Sequence, residues 1–144
     1  MPDDRLNELD PADAVSGAAA ETLPGVVDAV GDIRHDISNA MVSMKKEYYG
    51  KGPVKAKTYL NDNYVFCAME GGLTRNEETL LAAGHDDVVR AYRLNFQETV
   101  TRTVTEAVER ITGRKVVGYH SQIVFRPTRV FEIFVLDAPV GSAH

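Results

Sequence analysis

The chain has 144 residues, of which 44% are hydrophobic and 26% are charged. That length suits one ordinary domain rather than two, and a domain of this size needs no disulfide or metal in order to fold. The formal net charge of −5 argues against a basic surface for nucleic acid, and the single cysteine, Cys67, excludes an intrachain disulfide. We therefore expect no nucleic-acid partner.

Membrane and export signals are also missing from the sequence. No apolar run reaches the roughly 18 residues that a membrane-spanning helix requires. The acidic start at Met1-Pro2-Asp3-Asp4 lacks the basic and apolar regions of a signal peptide. A lone thiol fits a reducing compartment. The sequence thus predicts no membrane span and a cytoplasmic protein.

Composition divides the chain into three segments. Residues 1–24 are rich in Asp, Ala and Pro and predict a disordered lead-in. Residues 25–137 carry the periodic apolar pattern and predict a single α+β domain. Residues 138–144 predict a disordered tail.

The first half of the domain predicts a helix followed by a hairpin. Apolar residues recur every three or four positions from Val26 to Tyr48, which indicates an amphipathic helix that ends at Gly50. Strands are predicted at 54–60 and 64–69, because the Asn-Asp-Asn between them favours a turn.

The second half predicts the same order after a short helix. Thr74 and Glu77 have capping-box spacing and open the short helix. Asp86 or Asp87 is predicted to cap a long helix, whose apolar face is Val89, Tyr92, Phe96, Val100, Val104, Val108 and Ile111. A second hairpin follows, with strands at about 115–125 and 129–136 around Arg126-Pro127-Thr128.

The predicted fold is therefore α+β, with a helix–β-hairpin unit used twice in the order α-β-β-α-α-β-β. Four antiparallel strands with helices packed on one face is the simplest architecture for this order. The two halves share their layout and their glycine stops, but few residues.

The main candidate site is the segment 45–57, in which five of thirteen residues are lysines around two glycines. Such a segment can hold an anion, although a solvated helix end is the favoured interpretation. The glycines after the first hairpin allow a ligand to approach the backbone closely, although a simple turn is favoured there too. The ligand-binding candidates are Lys51, Lys55, Lys57, Gly71 and Gly72.

No catalytic, metal or cofactor site is predicted. The four histidines lack metal-ligand spacing, and Cys67 lies in an apolar strand, which favours a buried thiol. Arg90, Tyr92 and Arg93 are predicted to lie at the surface.

Glu132 stands among apolar neighbours and would need a cross-strand Lys or Arg, or a subunit contact, if it is buried. An enzyme would require Tyr49, Lys57, Tyr119 and Glu132 to converge in one pocket. Tyr119 and Ser121 are expected to share a strand face.

Several separated motifs resemble one bacterial family, the MpsC family, a domain of unknown function named after a sodium-translocating, membrane-potential-generating system. The resemblance spans about residues 28–137. Its motifs are Lys46-Glu47-Tyr48-Tyr49-Gly50-Lys51-Gly52-Pro53, Lys55-Ala56-Lys57, Glu70-Gly71-Gly72-Leu73-Thr74, Tyr92-Arg93 with Phe96-Gln97-Glu98, Thr112-Gly113-Arg114-Lys115-Val116 and Glu132-Ile133-Phe134-Val135-Leu136.

The resemblance implies an accessory role beside a membrane ion or bicarbonate system, with a protein of that system as partner. It supplies no catalytic residues. The leading hypothesis is a non-catalytic cytoplasmic accessory or regulatory domain that forms a homo-oligomer, with a dimer favoured. The alternatives are a small anionic-ligand-binding protein and, less favoured, an enzyme with an unrecognised site.

Overall fold

The computed structural model describes residues 24–142, with side chains from residue 31 onward. The predicted lead-in up to residue 23 and the last two residues of the predicted tail lie outside the described residues. The elements are α1 (Pro24–Tyr49), β1 (Lys55–Asn61), β2 (Tyr64–Glu70), α2 (Arg75–Ala82), α3 (Asp86–Thr112), β3 (Val116–Val124) and β4 (Arg129–Leu136). The α+β class and the order of elements are as predicted.

The four strands form one antiparallel sheet in the order β1-β2-β4-β3. Each hairpin is kept as a pair of neighbours, and the two hairpins meet through β2 and β4. Glu132 of β4 therefore stands between Cys67 of β2 and Ser121 of β3. This register places an acidic residue near the middle of the sheet.

The helices pack on one face of the sheet, as predicted. Because side chains alternate along a strand, every second residue of β2 and β4 points to that face. The core joins these residues to α1 and α3, and its fully buried members include Ile37, Met41, Val65, Met69, Val108, Phe134 and Leu136. On the other face, the half-buried rings of Phe66 and Phe131 stack, with their centroids 5.6 Å apart.

The caps of the two later helices differ. Thr74 and Glu77 form the predicted capping box, because each side chain bonds the backbone N–H of the other. The predicted cap of α3 by Asp86 or Asp87 is wrong, since His85 occupies that position without a side-chain bond. The Asp86 carboxylate instead accepts two bonds from Arg126, at 2.6 and 2.9 Å, because the hairpin turn brings this guanidinium beside it.

The chain after β4 continues in contact with the domain. Residues 138–142, part of the predicted tail, form a turn in which the N–H of Ser142 bonds the carbonyl of Pro139 at 3.1 Å. Val140 packs against the core. This stretch runs close to Arg114, whose guanidinium bonds Asp137 at 2.9 Å.

Candidate functional site: a basic pocket between two helices and the sheet

A cavity of about 190 Å³ lies between α1, α3 and the sheet. We call it the basic pocket. Three cationic side chains line it, one from α1 and two from α3, together with polar and apolar residues. The lining consists of Lys45 and Tyr49 of α1, Arg90, Arg93, Leu94 and Gln97 of α3, and Ser121, Gln122, Ile123 and Val130 of the second hairpin.

Lys45 is buried, with 8% of its surface exposed, and Glu132 is fully buried. The Lys45 ammonium lies 3.2 Å from Glu132 Oε2 and donates to Gln97 Oε1 at 3.5 Å. An unpaired buried charge would be strongly unfavourable. Glu132 therefore finds its expected basic partner on α1 rather than across the sheet.

Two hydroxyls complete the surroundings of Glu132. Tyr119 donates to one carboxylate oxygen, and Ser121 donates to the other at 2.9 Å. Tyr119 and Ser121 share a strand face, as predicted. Burial, followed by the charge of Glu132, raises the pKa of Tyr119 well above its ordinary value. The phenol therefore stays protonated and acts as a hydrogen-bond donor.

Arg93 is also buried, with 7% of its surface exposed. Its Nε and Nη2 donate to the two oxygens of Glu77 at 2.6 and 2.5 Å, and Nη2 also donates to the carbonyl of Gly72 at 3.1 Å. This two-pronged contact ties α3 to α2 and to the turn that precedes it. The prediction of a surface role for Arg93 is wrong.

Tyr49 covers Arg93, because the guanidinium carbon lies 3.8 Å from the ring centroid. A cation above an aromatic face is attracted by the ring quadrupole. Burial raises the pKa of Tyr49 to about 12, although the charge of Arg93 lowers it in part. The ring thus closes one side of the site as a neutral wall.

Glu77 shows the electrostatic consequence of this contact. Burial alone would raise the pKa of the Glu77 carboxyl, but the bonds from Arg93 and from the Thr74 backbone outweigh it, so the pKa is lowered. Glu77 is therefore a carboxylate at neutral pH. Arg93 keeps its partner throughout the ordinary pH range.

The arrangement can bind an anion. Lys45, Arg90 and Arg93 can offer only donors, since ammonium and guanidinium groups have no acceptor. Arg90 is exposed, and its guanidinium lies over the ring of Phe125 at 5.1 Å. Across the described residues, no three His, Cys, Asp or Glu side chains are grouped as a metal site would need.

The three lysines of the predicted site do not meet at this pocket. Lys51 is exposed just after α1. Lys55 lies at the start of β1, with its ammonium 3.9 Å from Glu70. Lys57 is buried on the sheet face opposite the helices, since its neighbour Thr58 bonds Ser38 of α1.

The two glycines of the predicted site lie against the chain's own backbone. Gly71 and Gly72 have positive φ values of 75° and 91°. A Cβ on Gly72 would come within 3.2 Å of the Pro53 nitrogen, and one on Gly71 within 3.1 Å of Val54. Glycine at both positions is thus required by the turn and by its contact with the segment after α1.

The set proposed for an enzyme does not converge. Tyr119 and Glu132 are hydrogen-bonded, and Tyr49 lines the same pocket, but Lys57 is on the other face of the sheet. Lys45, rather than Lys57, is the lysine beside Glu132. Cys67 is fully buried, and burial raises the pKa of its thiol to about 12, which leaves it protonated and unreactive.

The sequence contained a pattern that could have identified Lys45, Arg93 and Gln97 as residues of the site. Lys45 lies four residues after Met41 and eight after Ile37, on the same helical stripe as these core residues. Arg93 and Gln97 follow Val89 at the same spacing. A charged residue on an apolar stripe indicates a buried ion pair, and the number of lysines nearby masked that signal.

Comparison with known proteins identifies the family. The family described as "Na+-translocating membrane potential-generating system (MpsC)" matches residues 29–138. The chain belongs to the MpsC family. The match includes every residue of the basic pocket. Among the described residues, no helix has the length and apolar character needed to cross a bilayer.

Two relatives of this MpsC-family chain come from Bacillus subtilis (strain 168). The uncharacterized protein YrhF is 24% identical over 110 residues, which cover 75% of this chain and 90% of YrhF. The uncharacterized protein YbcI is 24% identical over 107 residues, which cover 74% of this chain and 86% of YbcI. No solved structure matches the chain.

Proposed function

We propose that this MpsC-family chain is a non-catalytic accessory or regulatory domain, and that it is regulated by a small anionic ligand bound in the basic pocket. One observation carries the proposal. Lys45 and Arg93 come from different helices, are both buried, and line the same cavity. Each cation is paired with a buried carboxylate, Glu132 or Glu77, which offsets the cost of burying it, and the cavity presents their N–H donors to whatever enters it.

The role beside a membrane system is the second part of the proposal. The family description names an ion-translocating system, and the partner is accordingly a protein of a membrane ion or bicarbonate system. In this role the ligand would regulate contact with that partner. The cytoplasm is the proposed location, supported by the single, buried thiol of Cys67.

The proposed functional unit is the single domain of residues 25–137, acting as a homo-oligomer with a dimer favoured. Within the described sheet, β1 and β3 each pair on one side only. Unpaired strand edges are a common route to association. Analytical ultracentrifugation of the full chain tests this, and a strict monomer at high concentration would count against it.

Anion binding is tested by thermal unfolding and calorimetric titration with phosphate, bicarbonate, acetate and ATP. A ligand at a hundred times its Kd stabilises by about 2.7 kcal/mol, which raises Tm by several degrees. Arg90→Gln should reduce the shift, because Arg90 lines the pocket. Arg110→Gln removes the same charge from an exposed site on the same helix and should leave the shift unchanged.

The anion site predicted from the sequence remains the competing location. It comprises Lys51, Lys55, Lys57, Gly71 and Gly72, and the exposed Lys51 gives a test that spares the fold. If Lys51→Gln abolishes the anion shift and Arg90→Gln does not, the ligand binds at the lysine segment. If no anion shifts Tm even at high concentration, the ligand-binding proposal is wrong.

A further inference from the structure

The charge of the basic pocket limits the charge of its ligand. Glu132 lies 3.2 Å from the ammonium of Lys45, and Glu77 accepts both bonds of the Arg93 fork. Two of the three lining cations are thus neutralised by buried carboxylates. One positive charge, that of Arg90, is left. A monoanion balances it, whereas a dianion would bring an uncompensated charge into a site that is partly out of water.

The donors of the pocket suit a carboxylate. An ammonium has three N–H groups and a guanidinium has five. The Arg93 bonds use Nε and Nη2, and within the described residues Nη1 makes no hydrogen bond. Arginine and carboxylate match in planar geometry. A carboxylate has only hydrogen-bond acceptors, whereas the ammonium and guanidinium groups have only donors. No donor of the ligand would therefore face another donor.

Part of the wall is apolar. Leu94, Ile123 and Val130 line the cavity together with the ring of Tyr49. Ile123 and Val130 also belong to the hydrophobic core. A ligand made only of charged oxygens would remove its own water shell against this wall and gain nothing from it. The ligand must therefore also have an apolar part.

The volume sets the size of that apolar part. A dry cavity of about 150 Å³ lined by apolar side chains binds benzene, and the basic pocket measures about 190 Å³. It can enclose a six-membered ring and a carboxylate. Sites for drug-sized ligands are about 300–1,000 Å³, so a nucleotide could not be enclosed.

From charge, donors, wall and volume together, we infer that the ligand of the basic pocket is a small monocarboxylate with an apolar body of about the size of a benzene ring. This inference rests on the proposed anion-binding function and adds the chemical class of the ligand. The carboxylate meets the cations, and the apolar body meets Leu94, Ile123 and Val130.

Calorimetric titration of the full chain with benzoate, acetate, phosphate and ATP tests the class. Benzoate should bind at least about 30-fold more tightly than acetate, because it alone places an apolar ring against the wall. Phosphate and ATP should bind more weakly than benzoate. Higher salt should weaken benzoate binding only modestly, because a single charge pair is involved.

Two variants at exposed lining residues test the two parts of the ligand in turn, the carboxylate and the apolar body. Arg90→Gln should lower benzoate affinity by roughly tenfold or more, the usual scale for a hydrogen bond to a charged group. Leu94→Ala should lower benzoate affinity but leave acetate affinity unchanged. Leu94 is 53% exposed, so this change spares the core. Arg110→Gln serves as the control and should alter neither.

The outcomes distinguish the inference from the proposed function. If phosphate or ATP binds more tightly than benzoate and Arg90→Gln weakens that binding, the pocket binds anions and the monocarboxylate class is wrong. If benzoate binds Arg90→Gln and Leu94→Ala as tightly as it binds the parent chain, benzoate binds outside the basic pocket, and the pocket assignment is overturned. If none of the four anions binds, the proposed function and the inference both fail.

Discussion

Two buried ion pairs border the basic pocket, and they are built in different ways. Lys45 and Glu132 join α1 to a central strand, and the carboxylate also accepts from Tyr119 and Ser121. Arg93 and Glu77 join α3 to α2 through a fork that engages both carboxylate oxygens. The first pair thus depends on a shared network of hydrogen bonds, and we call Lys45–Glu132 the network pair. The second depends mainly on the shape of the arginine side chain, and we call Arg93–Glu77 the fork pair.

The difference follows from the chemistry of the two cations. An ammonium is a compact point charge without a preferred plane, so several other groups are needed to satisfy a buried carboxylate beside it. A guanidinium matches a carboxylate in two parallel bonds. Glu77 also has a local task, because its side chain accepts from the Thr74 N–H in the capping box. The two pairs should therefore respond differently to substitution.

The largest expected effect comes from breaking the network pair. Glu132→Gln leaves the Lys45 ammonium buried without its counter-charge, which should lower the free energy of unfolding by about 3–5 kcal/mol. Urea denaturation at pH 7 measures the change. Glu106→Gln is the matched control, because the Arg102–Glu106 pair is exposed, and such pairs contribute about 0–1 kcal/mol. A loss at Glu132 no larger than the control's would contradict the account.

Removing both members of the network pair should restore part of that loss. The double variant Lys45→Met with Glu132→Leu removes both charges of this pair and leaves neither buried without a partner, so it should be more stable than Glu132→Gln by about 2 kcal/mol. Recovery should be incomplete, since Tyr119 and Ser121 lose their acceptor. Urea midpoints of the single and double variants provide the comparison, and equal midpoints would argue against an unpaired Lys45 as the cause.

The fork pair should be sensitive to geometry at constant charge. Arg93→Lys keeps the positive charge but cannot make two parallel bonds to Glu77, so stability should fall by about 1.5–3 kcal/mol. Arg110→Lys at an exposed position of the same helix should change stability little. If both variants unfold at the same urea concentration, the charge of Arg93 matters and its shape does not.

The capping box should contribute a smaller and local part. Thr74→Ala removes the acceptor for the Glu77 N–H, which lies 3.2 Å from the threonine oxygen. Loss of such a cap costs about 1 kcal/mol. Thr79→Ala, at an exposed site of the same helix, is the control. Thermal unfolding of the two variants measures the difference, and a smaller loss at Thr74 than at Thr79 would refute the prediction.

The smallest expected effect is a pH dependence that belongs to the fork pair. The pKa of Glu77 is lowered in the folded chain. Its contribution to stability is therefore complete above the ordinary carboxyl pKa of about 4.5 that applies in the unfolded chain, and is lost as the pH falls through the lower, folded value. Urea unfolding from pH 7 to pH 3 should show a shallower decline for Glu77→Gln than for the parent chain. If stability falls equally in the two chains between pH 7 and pH 3, Glu77 does not contribute to the pH dependence.

Local sequence signals predicted much of the fold. The Thr74–Glu77 spacing gave the cap of α2, the Asn-Asp-Asn turn gave the first hairpin, and the apolar period gave α1. The cap of α3 failed because Asp86 is drawn to Arg126, which is 40 residues away along the chain. Interactions at that separation leave no local pattern.

The site was predicted less well, for a related reason. The sequence indicated that Glu132 needs a partner but left its position open. The density of lysines drew attention to Lys51, Lys55 and Lys57, yet of the five lysines in that segment only Lys45 lines the basic pocket. The density of lysines shows where positive charge is concentrated along the chain. Whether a lysine is buried depends instead on which stripe of the helix faces the sheet.

The sequence by itself determined the elements, their order and the sheet pairings of the two hairpins, because these follow from short-range period, caps and turns. Only the tertiary structure decided how the two hairpins join through β2 and β4, and which cations meet inside. Bringing Lys45 to Glu132 and Arg93 to Glu77 requires α1, α2 and α3 to be placed relative to the sheet and to one another. That placement is fixed by the packing of the core as a whole, and no single segment of the chain encodes it.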